Sequence, residues 1–342
     1  MKECFLFVTV ITIGFLFGSS GLSPAEEFYK GKSIRFIVGY REGTSYDTYA
    51  RAIARHIGKY VPGNPVTIVE NLPSANSLTV ANRLFNRVKP DGLTVGVWNS
   101  RFVLLDALGD GRIRFDPRRV GWIGAPSSES PACAVMGFTG LRTIEDIQSS
   151  YGPIRMGVIS TAEMSSDLPI ILDDTLGTNF QTITGFKETS DCVRAMRKKE
   201  LDGMCLAWES MRRTAGGLLE AKGDNKLIPF LIDDFFEDPR VRDLPLIPNV
   251  IIGEENRATY ETWATHLEFF RPFTVPPETP KDRLRLLREA FKATLNDPKF
   301  LAEAKKAKLD IDYVSGEEIE RRVGEIVAMS PKVRYNLEFL IR

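Results

Sequence analysis

Residues 38–51 read Val38-Gly39-Tyr40-Arg41-Glu42-Gly43-Thr44-Ser45-Tyr46-Asp47-Thr48-Tyr49-Ala50-Arg51. An apolar run, Ile34 to Gly39 (IRFIVG), enters this stretch, and an amphipathic pattern leaves it. That pattern places Ala50, Ile53, Ala54, Ile57 and Val61 on one face and Arg51, Arg55 and Lys59 opposite, as in a helix lying on a sheet. The turn between strand and helix holds Gly, Thr, Ser and Asp, residues that bend the chain and hydrogen-bond. The same scheme continues. A strand is expected at Pro65 to Glu70, a turn at Asn71 to Ser77, a helix at Leu78 to Val88 and a third strand at Leu93 to Trp98. In that helix Val80, Ala81, Leu84 and Phe85 face inward. This β-α-β-α-β order implies an α/β fold with a parallel sheet and right-handed crossovers.

The middle of the chain repeats the arrangement. A short strand is expected at Ala134 to Met136, with others at Arg155 to Val158, Gln181 to Thr184, Gly203 to Ala207 and Leu227 to Ile232. Thr143 caps a helix whose first turn is acidic. Asp233 to Gly253 reads as irregular, and Phe269 to Val275 as strand-like. Thr279 and Pro280 read as the cap and first residue of a helix, and Ser315 to Glu318 as a capping box. Two α/β units and a helical tail fit two lobes.

The chain has 342 residues, with 45 basic and 45 acidic side chains, so no global field attracts nucleic acid or an anionic membrane. Lys2, the apolar run Phe5 to Phe17 and the small residues up to Ala25 have the form of a signal peptide, with cleavage expected after Ala25. The apolar run is shorter than the ~20 residues of a spanning helix. The protein is expected to be exported, free and monomeric. Cys133, Cys192 and Cys205 then remain. A disulfide between Cys192 and Cys205 is open in an oxidising compartment; buried free thiols are the favoured reading.

Catalytic constellations are mostly missing. The two histidines, His56 and His266, have no acid or nucleophile at a telling spacing. Asp106 to Gly111 resembles the start of a calcium loop but lacks its later ligands, and it reads as a surface turn. No metal and no cofactor are expected. The polar turns that follow strands remain: Gly43-Thr44-Ser45, Pro73 to Ser77, Asn99-Ser100 and Gly157 to Thr161. In open α/β sheets ligands bind beyond the carboxyl ends of strands. Helix capping alone also accounts for any one such turn.

A resemblance narrows this. Phe28 to Val38, then Gly43, Asp47 and Ala50-Arg51, resembles the start of the Bug family, the extracytoplasmic solute receptors of tripartite tricarboxylate transporters. Val69-Glu70-Asn71-Leu72-Pro73, Ala81-Asn82, Pro90-Asp91-Gly92, Leu201-Asp202-Gly203 and Val275 to Lys281 resemble that family's later motifs, in order. The resemblance implies a two-lobed type 2 periplasmic binding protein fold with the ligand cleft between lobes. Residues 28–129 and 267–342 would form the first lobe and 130–266 the second. It also implies a ligand site. Gly43, Thr44, Ser45 and Asp47 would form its first loop, and Ser74, Ala75, Asn76 and Ser77 its second. Asn99 and Ser100 would approach from the third strand; Ser160, Thr161, Ser165, Phe186, Lys187 and Glu188 would come from the closing lobe. Where the family carries loop glycines, this chain has Thr44, Ser45, Ser74 and Asn76. Glu188 stands where the family often has glycine.

The expected function is capture of a small carboxylate-bearing solute, delivered to integral-membrane transporter subunits. A periplasmic ligand sensor of the same fold is the alternative. An exported enzyme is the third reading, with Asp47 its best candidate base and no partner for it in view.

Overall fold

The computed structural model describes residues 27–159 and 163–341, apart from the Asn76 side chain. The signal segment expected at residues 1–25 lies outside the described residues. Strand β1 (Ser33–Val38) lies between β2 (Val66–Asn71) and β3 (Thr94–Val97), parallel to both. The opening β-α-β-α-β unit is thus as expected, with helices Ser45–Ile57 and Leu78–Arg87 as its crossovers. The apolar face of the first helix, Ala50, Ile53, Ala54 and Ile57, is buried with Phe36 and Val38.

The first sheet is larger than periodicity alone indicated. Strand β4 (Gly121–Ala125) joins it, although GWIGA carries two glycines and no alternation. Strands β5 (Pro131–Met136) to β9 form the second sheet. There β6 (Ile154–Gly157) is parallel to β7 (Phe180–Ile183) and β8 (Gly203–Ala207), while β5 runs antiparallel between β8 and β9 (Leu227–Ile232). The chain then returns to the first sheet. Strand β10 (Phe273–Val275) inserts antiparallel between β3 and β4, and β11 (Val314–Ser315) closes the edge. Both sheets are therefore mixed, and each is the core of one lobe of an α/β fold.

Several local expectations are corrected. The strand-like run from Phe269 shortens to β10 because Arg271 adopts φ 59°, which breaks extended pairing. The helix after Pro277 starts at Lys281, not Pro280, and the Thr279 hydroxyl donates to the Pro276 carbonyl. Ser315 does cap its helix by accepting from the Glu318 N–H, but the Glu318 carboxylate is drawn to Arg321 and Arg322 rather than back to the cap. The disulfide joins Cys133 to Cys205, leaving Cys192 free and buried. The reason is register: Cys133 and Cys205 are direct partners across the antiparallel β5–β8 pair. Asp106 belongs to a helix, Arg101–Ala107, and Asp110 pairs with Arg112. No helix among the described residues is long and apolar enough to cross a membrane.

Two crossings link the lobes, and they touch. Ser127 and Phe270 form an antiparallel bridge, and the Glu129 N–H donates to the Leu267 carbonyl at 2.9 Å.

Candidate functional site

The opening turn is organised by Asp47. Its carboxylate accepts from the Gly43 N–H at 2.9 Å, from Asn71 Nδ2 at 2.8 Å and from Arg51 Nε at 2.9 Å. Burial opposes its ionisation, but those three donors outweigh it and hold the carboxyl below its ordinary value. Gly43 sits at φ 80°, a left-handed position suited to glycine. Thr44 caps helix Ser45–Ile57 and donates its hydroxyl to the Arg41 carbonyl. Asp47 therefore shapes the loop from behind.

The second loop docks on the first strand. A Cβ at Gly39 would lie 2.1 Å from the Ser77 Cβ, so only glycine admits this approach. Ser77 is buried at φ 75°, and its Oγ accepts the Asn99 N–H at 3.0 Å. Ala75 is also left-handed, at φ 48°. Ser74 is extended, so the side chain that replaces a family glycine there meets no strain. Asn99 donates from Nδ2 to the Tyr40 hydroxyl at 3.2 Å. Ser100 is buried, and its Oγ has no hydrogen-bond partner among the described residues.

A cavity of about 400 Å³ lies where these loops meet the second lobe. Of the residues expected there, Thr44, Ser45, Asn99, Ser165 and Glu188 line it. Gly43, Asp47, Ser77 and Ser100 do not line it, and neither does Ser74. Ala75 lines a neighbouring hollow that shares Asn99 and Arg101 with it. Phe186 and Lys187 border a separate shallow hollow beside Asp191 and Arg194. Ser160 and Thr161 lie outside the described residues. A larger hollow of about 900 Å³, walled by Asp233, Asp234, Glu261, Glu268 and Glu318, opens elsewhere at the lobe junction. The strand-end loops of both sheets converge on the smaller one.

The groups that give the smaller cavity its character were not legible as site residues. Tyr40 and Tyr46 stack with ring centroids 4.1 Å apart, and Tyr46 meets Phe270 at 5.5 Å. Burial pushes the Tyr40 hydroxyl up to about 12, so it stays a neutral donor. Arg271, 5% exposed, lies over the Phe270 and Tyr49 rings. It donates to Glu129 at 2.7 Å, to Ser127 Oγ at 3.0 Å and to Ser45 Oγ at 3.3 Å. Burial pushes the Glu129 carboxyl up, and Arg271 counters that push.

Arg101, 3% exposed, pairs with Asp167 at 2.8 Å and donates to the Ile341 carbonyl. Its Nε has no partner among the described residues. Glu163 caps helix Met164–Leu176 at the cavity edge; burial, then the Glu129 charge, pushes it up to about 7. His266 is buried and lines the cavity. Burial pushes it down to about 3, so it is neutral, with Nδ1 on the Trp263 carbonyl. The only hints of these residues in the sequence were position: Tyr40 and Tyr46 flank the first loop, and Arg101 follows Asn99-Ser100. Arg271 comes from 226 residues beyond Ser45, and no spacing announces it.

No family model and no curated protein matches the chain. Solved structures do. A TctC solute-binding protein from Polaromonas is similar over 92% of this chain and 99% of its own, at TM-score 0.69 and 16% identity. The periplasmic binding protein BugD is similar over 91% and 98%, at TM-score 0.63 and 18% identity. MatC from Rhodopseudomonas palustris, with bound malate, is similar over 91% and 99%, at TM-score 0.62 and 15% identity. At these identities the likeness concerns the backbone, and it spans nearly the whole of each molecule. The chain has the two-lobed α/β fold of the TctC and BugD solute-binding proteins.

Proposed function

We propose that the protein is an exported solute receptor: it captures a small carboxylate-bearing solute between its lobes and presents it to a membrane transporter of the tripartite tricarboxylate type. The lobes are taken as residues 28–129 with 267–342, and 130–266, after removal of a leader near Ala25. The periplasm is the compartment this implies. One observation carries the reading. A cavity within the usual size range of small-ligand sites lies between the two sheets, where strand-end loops of both lobes meet two buried arginines. Hydroxyl and amide groups of Thr44, Ser45, Asn99 and Ser165 supply the neutral hydrogen bonds, and Arg101, paired with Asp167, stands on the same wall. Ser160 and Thr161 would complete the second-lobe wall. The likeness to a malate-bound protein supports a carboxylate as the ligand class. Binding without turnover is the reading we favour: His266 is neutral, its Nδ1 lies on the Trp263 carbonyl, and no hydrogen bond among the described residues joins it to a hydroxyl or thiol.

The test is thermal unfolding of the leader-free chain against a panel of mono- and dicarboxylates and their amino-substituted counterparts. A ligand at ~100 times its dissociation constant adds ~2.7 kcal/mol, a rise of several degrees, and is recovered unchanged. Failure of every acid to raise the midpoint would sink the carboxylate receptor.

A further inference from the structure

A further hollow, of about 510 Å³, lies apart from the solute cavity and shares only Arg213 with it. One wall is helix Trp208–Leu219, which follows strand β8 of the second sheet and contributes Arg212 and Arg213. The other is the end of helix Pro298–Lys306 and the chain after it, which contribute Lys305 and Lys308. That helix is tied to helix Ser45–Ile57 of the first lobe, where Arg55 and His56 both reach Glu303. Two acids stand beside the four cations. Asp310 is half exposed and lies 3.5 Å from Arg212, a loose pair. Glu209 is pushed up to about 7 by burial, so it is partly neutral near that pH. Lys305 and Lys308 are exposed, and among the described residues neither has an ion-pair partner. Two observations separate this hollow from an ordinary solvated basic face. Arg212 Nε and Glu209 Oε2 are both buried on its wall without a hydrogen-bond partner among the described residues. A buried guanidinium N–H left open is costly, and an acceptor from outside the chain would relieve that cost. Lys308 also sits at φ 55°, just past the helix end, in a turn that favours glycine or asparagine. The negative helix end accounts for a lysine nearby, but not for two arginines facing it from the other lobe.

We propose that this hollow is a second ligand site, distinct from the solute cleft, which takes a phosphate-type polyanion between Arg212 and Arg213 of one lobe and Lys305 and Lys308 of the other. Four cations against two acids leave an excess that one carboxylate would not match and a polyvalent anion does. The planar guanidinium of Arg212 offers its N–H fork to two oxygens, and the lysines act as point charges on the rest. Because the cations come from both lobes, the bound anion bridges them. The same phosphate chemistry is carried by a free anion and by a phospholipid headgroup, and the two are separated below.

The experiment is isothermal titration of the leader-free chain at pH 7.5 and fixed ionic strength with inorganic phosphate and pyrophosphate, and sedimentation with vesicles of phosphatidylglycerol or of phosphatidylcholine. One pyrophosphate binds per chain, more tightly than phosphate. Arg212→Gln with Lys308→Gln weakens it tenfold or more. Lys89→Gln with Lys222→Gln, which removes the same charge from exposed positions outside the hollow, changes it less than twofold. Circular dichroism checks that each variant is folded; if the arginine variant is not, Lys305→Gln with Lys308→Gln takes its place. Binding of phosphatidylglycerol vesicles that the same substitutions abolish, with no binding of the free anions, assigns the site to a headgroup and supports it equally. Three results overturn the proposal: neither free anion nor vesicle binds, the substitutions in the hollow leave binding unchanged, or the control pair weakens it as much. Arg212 and Lys308 do not line the solute cavity, so the acid panel decides the receptor reading independently of this result.

Discussion

Glu209 is the second residue of helix Trp208–Leu219, and its Oε2 is buried with no hydrogen-bond partner among the described residues. Burial, with Glu129 and Asp310 adding to it, pushes its carboxyl from 4.5 up to about 7. Between those values the folded chain holds a proton that the unfolded chain has released. Stability therefore falls as pH rises through that window, and the contribution is intact below it. His266 acts in the opposite sense. It is charged when unfolded below 6.5 but neutral in the fold down to about 3, so its contribution is lost as pH falls. The clean readout is thus a difference between variants. Glu209→Gln is expected to match the parent near pH 4.5 and to exceed it by on the order of 2 kcal/mol at pH 8. Urea unfolding at the two pH values measures this, and a pH-independent difference would refute it.

At the scale of elements, strand register settles the covalent structure. Cys133 on β5 faces Cys205 on β8, whereas Cys192 lies on helix Thr189–Arg197 and packs beside Gly157. Burial pushes the Cys192 thiol up to about 11, so it is unreactive as well as enclosed. A chain lacking residues 1–25, denatured without reductant, should show one titratable thiol, and three after reduction. Three thiols without reductant would remove the Cys133–Cys205 bond. The bond closes a segment of 72 residues, so replacing both cysteines by alanine should cost ~4 kcal/mol in the chain-entropy account.

For the whole molecule the decisive group is the Arg271–Glu129 pair. It joins the two lobe crossings, and through Ser45 it reaches the first loop of the cleft. Arg271 comes from the strand of chain returning to the first lobe, and Glu129 from the segment leaving it. Removing one partner strands a buried charge, so Arg271→Ala should destabilise the protein by about 3–5 kcal/mol. The double replacement Arg271→Leu with Glu129→Gln should cost less than Arg271→Ala alone, because no charge is orphaned. Denaturant unfolding of the set decides. A loss under ~1 kcal/mol for Arg271→Ala would place the pair among weak surface contacts.

Local pattern was sufficient for much of the protein. The apolar alternation and amphipathic spacing around Val38 to Arg51 determined the β-α-β-α-β unit, because strand and helix periods depend on neighbours a few residues apart. The caps Thr143 and Ser315 were legible for the same reason. Loop residues Thr44, Ser45 and Asn99 could be placed near a cleft because ligands gather at strand ends. What required the tertiary structure was every pairing across long separations. Strand β4 has too short and glycine-rich a pattern to declare itself, and β10 enters the sheet only because the chain returns from the second lobe. The Cys133–Cys205 partnership and the Arg101–Asp167 and Arg271–Glu129 pairs join segments dozens to over a hundred residues apart. Such contacts leave no period in the sequence; packing creates them. The charges of the cleft are therefore a property of the folded lobes rather than of any motif.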